Sequence, residues 1–309
     1  MSATSATSPS PAAMPARMAT RKVDWLNLVV AVLLMGAGWP LTRFAVTEGA
    51  PTLWLLFGRI GLSCLVCAAA MLALGRLRWP GRADWPALLT LGLLQITGFF
   101  TLGYIAVAWI PAGRTAILSC ATTLWVVPLS VLLLREAIPP RRWLAALLGL
   151  GGVMVMSSPW SIDWSSPAVL LGHALLLGAA LCWAGAIVVL RRFPPGRPML
   201  ELLPWCFGLA TLLTLPLALT QPLGQWNARA LSALAFLGVV VGPVALWCSA
   251  QVQMRMPAVV SSIGLLLSPA AGLVLSTLWL GEALGLDLAI GTGIILGGAI
   301  IAAWPRKAA

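Results

Sequence analysis

The sequence predicts an all-α integral membrane protein: ten transmembrane helices arranged as two inverted five-helix repeats. Three observations carry that expectation. Apolar runs of about 20 residues recur from Trp25 to Trp304, each long enough to cross a hydrocarbon core of roughly 30 Å. A shift of 146 positions lays Pro111-Ala112 on Pro257-Ala258, Glu136-Ala137 on Glu282-Ala283 and Gly151-Gly152 on Gly297-Gly298 without a gap. The same shift carries Ala87, Leu88 and Gly92 onto Ala233, Leu234 and Gly238. Lastly, arginine and lysine concentrate in alternate loops between the apolar runs.

Composition narrows the class further. The chain is 60% hydrophobic and 9% charged, with a mean hydropathy of +0.97, whereas a water-soluble domain carries about 25% charged residues. Hydrocarbon offers the backbone no partners, so each run must satisfy its own peptide groups as a helix. A β-barrel would need short alternating runs, and Leu175–Leu177 or Val29–Leu34 do not alternate. The net charge of +11 sits in short clusters between spans, which suits a lipid surface and not nucleic acid. Cys64, Cys67, Cys120, Cys182, Cys206 and Cys248 all lie within apolar runs. Cys64 and Cys67 are one turn apart with no second pair, so they read as packing residues, and no metal or cofactor is expected.

Residues 1–24 form a Ser/Thr/Ala/Pro-rich tail without an apolar h-region, expected to be disordered on the cytoplasmic side. The first repeat covers 25–158 and the second 159–309. Within them the spans run near 25–46, 52–74, 86–108, 112–134, 142–158, 167–190, 199–219, 230–250, 257–280 and 285–304. With the N-terminus inside, inner segments hold Arg76, Arg78 and Arg82, then Arg135, Arg141 and Arg142, then Arg191, Arg192 and Arg197, and finally Arg306 and Lys307. The outer ends hold only Arg43, Arg114 and Arg229. Both termini are then cytoplasmic, in a multi-pass protein of the inner membrane. Because five is odd, the second repeat enters from the opposite side, a plan on which two halves can rock about a site at the midplane.

Residues across the whole of 25–304 now carry a resemblance. Gly38-Trp39-Pro40, Arg59, Trp183-Ala184, Ser268-Pro269, Leu280-Gly281-Glu282 and the glycines closing each half resemble EamA-type members of the drug/metabolite transporter superfamily. The resemblance implies a ten-helix carrier, often an exporter of amino acids or related metabolites. Four helices of each half would surround a central cavity, with the fifth at the periphery. Two positions depart from the pattern. Thr123 stands where Pro269 stands in the other half, with Pro128 five residues later, which displaces or removes the break in span 4. His173, after Gly172, replaces a commonly acidic or amide residue.

Candidate ligand-binding residues follow from polar or aromatic side chains inside spans. Thr115, Ser119 and Thr122 follow i, i+4, i+7 spacing on one face, and Ser261 and Ser268 repeat the outer two positions. They either line a cavity or bond neighbouring helices. Arg59 lies a turn or two inside span 2, where an unhydrated charge costs about 2.5 kcal/mol or more. It reads either as a receptor for a substrate carboxylate or as an anchor for helix-end carbonyls. Trp39, Trp183 and Tyr104 are placed to wall a cavity; Trp125 and Trp247 also lie inside spans, and packing explains each singly. His173, the one histidine, suits a proton relay or a solvated mouth. Glu136 and Glu282 end the fourth helix of each half near water, where pairing with basic loop residues is the simpler role.

The function expected is secondary transport of a small organic solute, an amino acid, a related metabolite or a drug, outward across the cytoplasmic membrane by alternating access. Nothing resembles a nucleotide-binding loop. The alternatives are an intramembrane enzyme acting on lipid or peptide, for which the sequence offers no paired nucleophile and base, and a non-transporting structural or lipid-scrambling membrane protein.

Overall fold

The computed structural model describes residues 22–106, 122–135, 139–157, 165–265, 267–280 and 286–303, and all their regular structure is helical. The helices are α1 (Lys22–Thr47), α2 (Thr52–Ala73), α3 (Arg82–Ala106), α4 (Thr122–Leu134), α5 (Pro140–Ser157) and α6 (Pro167–Arg192), followed by α7 (Met199–Ala218), α8 (Ala228–Arg255), α9 (Ala258–Leu265), α10 (Leu267–Leu280) and α11 (Leu286–Ala303). Among the described residues six of these, α1, α2, α3, α6, α7 and α8, are long and apolar enough to cross a membrane. Large leucines such as Leu72, Leu132 and Leu212 stay exposed on the outer surface. In water such a surface would aggregate; against lipid tails it costs nothing.

Local chemistry sets the helix ends. Gly75 takes a φ of +64° just beyond α2, donating to Leu72 O at 3.0 Å, while Arg76 N reaches Met71 O at 2.8 Å. This left-handed turn satisfies two end carbonyls at a position where a β-carbon is strained. At the start of α8, the Asn227 side chain accepts from Ala230 N at 2.7 Å and caps the first turn.

Helices that share one apolar solvent associate by close backbone approach, and small residues mark the crossings. On α1, a β-carbon at Gly36 would stand 2.7 Å from Ser268 O, and one at Gly272 on α10 would stand 2.7 Å from Gly36 O. Pro40 has no N–H for that Gly36 carbonyl, so the crossing falls where α1 is already interrupted. Helices α5 and α11 meet in the same way at Gly152 against Gly291 O and at Gly298 against Ala145 O. A shift of 146 carries Ala145 onto Gly291 and Gly152 onto Gly298, so the two contacts exchange partners, as they would about a two-fold axis.

Two π-helical stretches interrupt α3 and α8, at Thr90–Gly98 and Leu237–Ala245. In such a turn the carbonyl of residue i is bonded from residue i+5. For Gly238 that residue is Pro243, which has no N–H, and the Ser63 hydroxyl of α2 lies 2.7 Å from the orphaned oxygen instead. In α3 the matching Gly92 carbonyl accepts from the Thr97 hydroxyl at 2.7 Å.

Helices α2 and α7 are tied at both of their ends. Trp54 Nε1 donates to Gln221 O at 2.9 Å, and Trp205 Nε1 donates to Arg78 O at 3.1 Å. Beside the second bond, the buried Asp84 accepts from Gly81, Gly196 and Arg197 N–H groups at 2.9, 3.0 and 3.2 Å and pairs with Arg197 Nε at 3.5 Å. Beside the first, Glu48 accepts from Asn227 Nδ2 at 2.6 Å and pairs with Arg229 at 3.4 Å.

Candidate functional site

A cavity opens at the centre of the bundle, with about 900 Å³ of empty space when its open mouth is included. Met35 and Gly38 on α1, Arg59 on α2, Phe99 and Phe100 on α3 and Thr122 on α4 line it from the first half of the chain. Trp183 on α6, Phe207 on α7, Ser249 on α8, Ser262 on α9 and Ser268 on α10 line it from the second. Among the described residues, α5 and α11 contribute no wall.

Arg59 lies seven residues into α2, about two turns from its start, so the helix itself carries the charge to this depth. The residue is 8% exposed. Its guanidinium lies over the Phe100 ring, 4.5 Å from the centroid, and Nη1 donates to the Tyr104 hydroxyl at 3.1 Å. Thr42 Oγ1 donates to Gly38 O at 2.7 Å, which uses its one proton, so the contact of 3.2 Å between Tyr104 and Thr42 is donated by tyrosine. A directed chain therefore runs from Arg59 through Tyr104 and Thr42 to the α1 backbone. No carboxylate among the described residues pairs with Arg59. The ring face and one hydroxyl hold the guanidinium in place, while its other donors are left for the cavity.

The expected residues are distributed as follows. Arg59, Thr122, Trp183 and Ser268 come together around this cavity. Tyr104 is 3% exposed and stands behind Arg59, off the cavity wall, because its hydroxyl is drawn to Arg59 and Thr42. Ser261 is buried off the wall and its neighbour Ser262 takes the lining position, since one residue rotates a helix face by about 100°. Trp183 stacks at 4.6 Å on Phe99, tilted by 59°. His173, half-buried near the start of α6, places Nδ1 2.7 Å from Val169 O and lies off the cavity wall. Thr115, Ser119, Glu136 and Glu282, and the side chains of Trp39 and Thr123, lie outside the described residues.

Sequence reasoning missed Phe100, Thr42, Ser249 and Ser262. The two serines carried a usable signal, being hydroxyls within the eighth and ninth apolar spans. Phe100 and Thr42 carried none, since their part depends on Arg59 and Tyr104 arriving from other helices.

A profile of the EamA-like transporter family matches residues 25–158 and again residues 170–304. The protein PecM of Dickeya dadantii (strain 3937) is 29% identical over 270 residues, 85% of this chain and 88% of its own. The uncharacterized transporter YvbV of Bacillus subtilis (strain 168) is 27% identical over 167 residues, 54% of this chain and about half (53%) of its own. The pseudopaline exporter CntI of Pseudomonas aeruginosa (strain UCBPP-PA14) is 29% identical over 160 residues, 52% of this chain and 54% of its own. A solved crystal structure superposes with a TM-score of 0.76 over 92% of this chain and 98% of its own at 23% identity, a likeness of fold.

Proposed function

The chain belongs to the EamA-like transporter family of membrane proteins, and from that premise we propose that it exports a small organic solute by alternating access about the Arg59 cavity. The single observation that carries this reading is that helices from both family-matched segments wall one cavity holding a buried guanidinium that pairs with no carboxylate among the described residues. The two matched segments would be the rocking halves, ten spans in all, with α5 and α11 peripheral. The paired glycine crossings and the paired π-helical stretches support halves of like construction.

Thr122, Trp183, Ser249, Ser262 and Ser268 would contact the solute, and Arg59 would bind its carboxylate through a planar fork of donors. The outward direction is supported by the exporter among the relatives. Placement in the inner membrane with both termini inside follows the arginine and lysine bias of the loops. A proton or solute gradient would drive the cycle, and His173, the one histidine of the sequence, is the coupling candidate.

Flux into proteoliposomes tests the proposal, using amino acids, organic acids, cations and drugs with and without a pH gradient. Saturable, competable flux of at least one solute is expected. Lipid exchange without saturable solute flux would overturn it.

A further inference from the structure

We propose, building on the reading of the cavity as the transport site, that it selects organic monoanions with an aromatic body over the zwitterionic amino acids of the same skeleton. The charge inventory is one-sided. Among the described lining residues Arg59 is the cation, and the other polar groups are neutral hydroxyls, Thr122, Ser249, Ser262 and Ser268. None of the acidic residues whose side chains are described lines the cavity. Asp24, Glu48 and Asp84 pair with Arg255, Arg229 and Arg197 near helix ends, and Glu201 opens α7. Glu136, Asp163, Glu282 and Asp287 fall at the margins of spans in the sequence.

A carboxylate entering this cavity would meet the unused guanidinium donors. An ammonium would meet no counter-charge among the described lining residues and would feel the repulsion of Arg59. Burying such a group with only hydroxyl dipoles for company is unfavourable. Arg59 itself already covers the Phe100 face, and Trp183 is packed against Phe99. The zwitterion therefore gains from its carboxylate and loses on its ammonium, whereas the monoanion only gains. The rest of the wall supplies the body's environment: Phe99 and Trp183 packed together at 4.6 Å, with Phe207, Met35 and Ile96, form a mainly apolar lining suited to a ring.

Three ligands of one skeleton separate the charges: 3-phenylpropanoate, phenylalanine and phenethylamine. Binding is measured by calorimetry on the full-length protein in nanodiscs, with the Arg59→Gln protein as the control for partition into lipid. The expected result is at least tenfold tighter binding of 3-phenylpropanoate than of phenylalanine, no saturable binding of phenethylamine, and loss of the preference in Arg59→Gln. Propanoate, which lacks the ring, should bind at least tenfold more weakly than 3-phenylpropanoate. Where Arg59→Gln fails to insert, the order of the ligands on the unmodified protein decides alone. Equal or tighter binding of phenylalanine, or saturable phenethylamine binding, overturns the inference. Absence of binding by all three, alongside saturable flux of another solute, also overturns it and leaves the transport reading standing. Absence of saturable flux for every solute tested brings down the transport reading itself.

Discussion

Tyr104 accepts a hydrogen bond from Arg59 across 45 residues of sequence, at 3.1 Å, and passes its own proton to Thr42 at 3.2 Å. The pair joins α2 to α3 and, through Thr42, to α1. A hydrogen bond to a charged group contributes about 1.5–3 kcal/mol. Tyr104→Phe removes the oxygen and keeps the ring, so Arg59 should lose its fixed position without loss of packing. Solute affinity should fall by roughly tenfold, equivalent to ~1.4 kcal/mol, with insertion unchanged; binding by calorimetry checks it. An unchanged affinity would show that Phe100 alone positions the guanidinium.

The two clasps at the ends of α2 and α7 should differ in strength. Asp84 is buried and accepts from three backbone N–H groups, whereas Arg229, which pairs with Glu48, is 76% exposed along its side chain. Asp84→Ala leaves those donors unsatisfied and should lower stability by about 2–4 kcal/mol. Glu48→Ala loses an exposed pair and one short bond to Asn227, about 1 kcal/mol. Denaturation in detergent micelles gives both values, and similar losses would contradict the distinction.

The Gly36–Gly272 crossing leaves no room for a side chain. A β-carbon at Gly272 would stand 2.7 Å from Gly36 O and 3.4 Å from its carbonyl carbon, so Gly272→Ala must push α1 and α10 apart. The expected cost is about 1–3 kcal/mol, measured as a drop in thermal midpoint. Gly293→Ala, at a position with nothing within 4 Å, serves as the control and should be near neutral.

How much of this was legible in the sequence can be read from single residues. Arg59 announced itself, because a guanidinium two turns inside an apolar run is anomalous wherever the run folds. Its support was not legible: Tyr104 and Thr42 look like ordinary span residues until three helices bring them together. In the ninth span the spacing points to Ser261 and Ser268, whereas Ser262 and Ser268 line the cavity, because a 3.6-residue period tolerates a one-residue rotation until neighbours fix it. The π-helical stretches left only Gly92 with Thr97 and Gly238 with Pro243 as traces. Those residues have other common uses, and only Ser63, from another helix, reveals which one applies.

The orientation set by the loop charges predicts opposite labelling of two loops. Single cysteines at Leu77, between α2 and α3, and at Leu223, between α7 and α8, in a cysteine-free background should react from the inside and the outside respectively. Reversed labelling would contradict the inside position of the termini, and labelling of both from one side would contradict the inverted arrangement of the halves.

The hydroxyls of the cavity wall offer a further check. Thr122 and Ser268 line it from α4 and α10. Replacing either by Leu fills ligand space while keeping an apolar helix face. Flux should fall at least tenfold with unchanged membrane insertion, and full activity in both variants would place these groups outside the solute path.

The most direct measurement of the central claim is solute flux in proteoliposomes for the unmodified protein, Arg59→Lys and Arg59→Gln at matched insertion. Lys keeps the charge and loses the fork; Gln loses both. The account predicts graded loss for a carboxylate-bearing solute, with Lys milder and Gln reduced about 10–100-fold in affinity, as expected when a charged hydrogen-bonding group is removed. Equal affinity and flux in all three proteins would contradict a solute site built on Arg59.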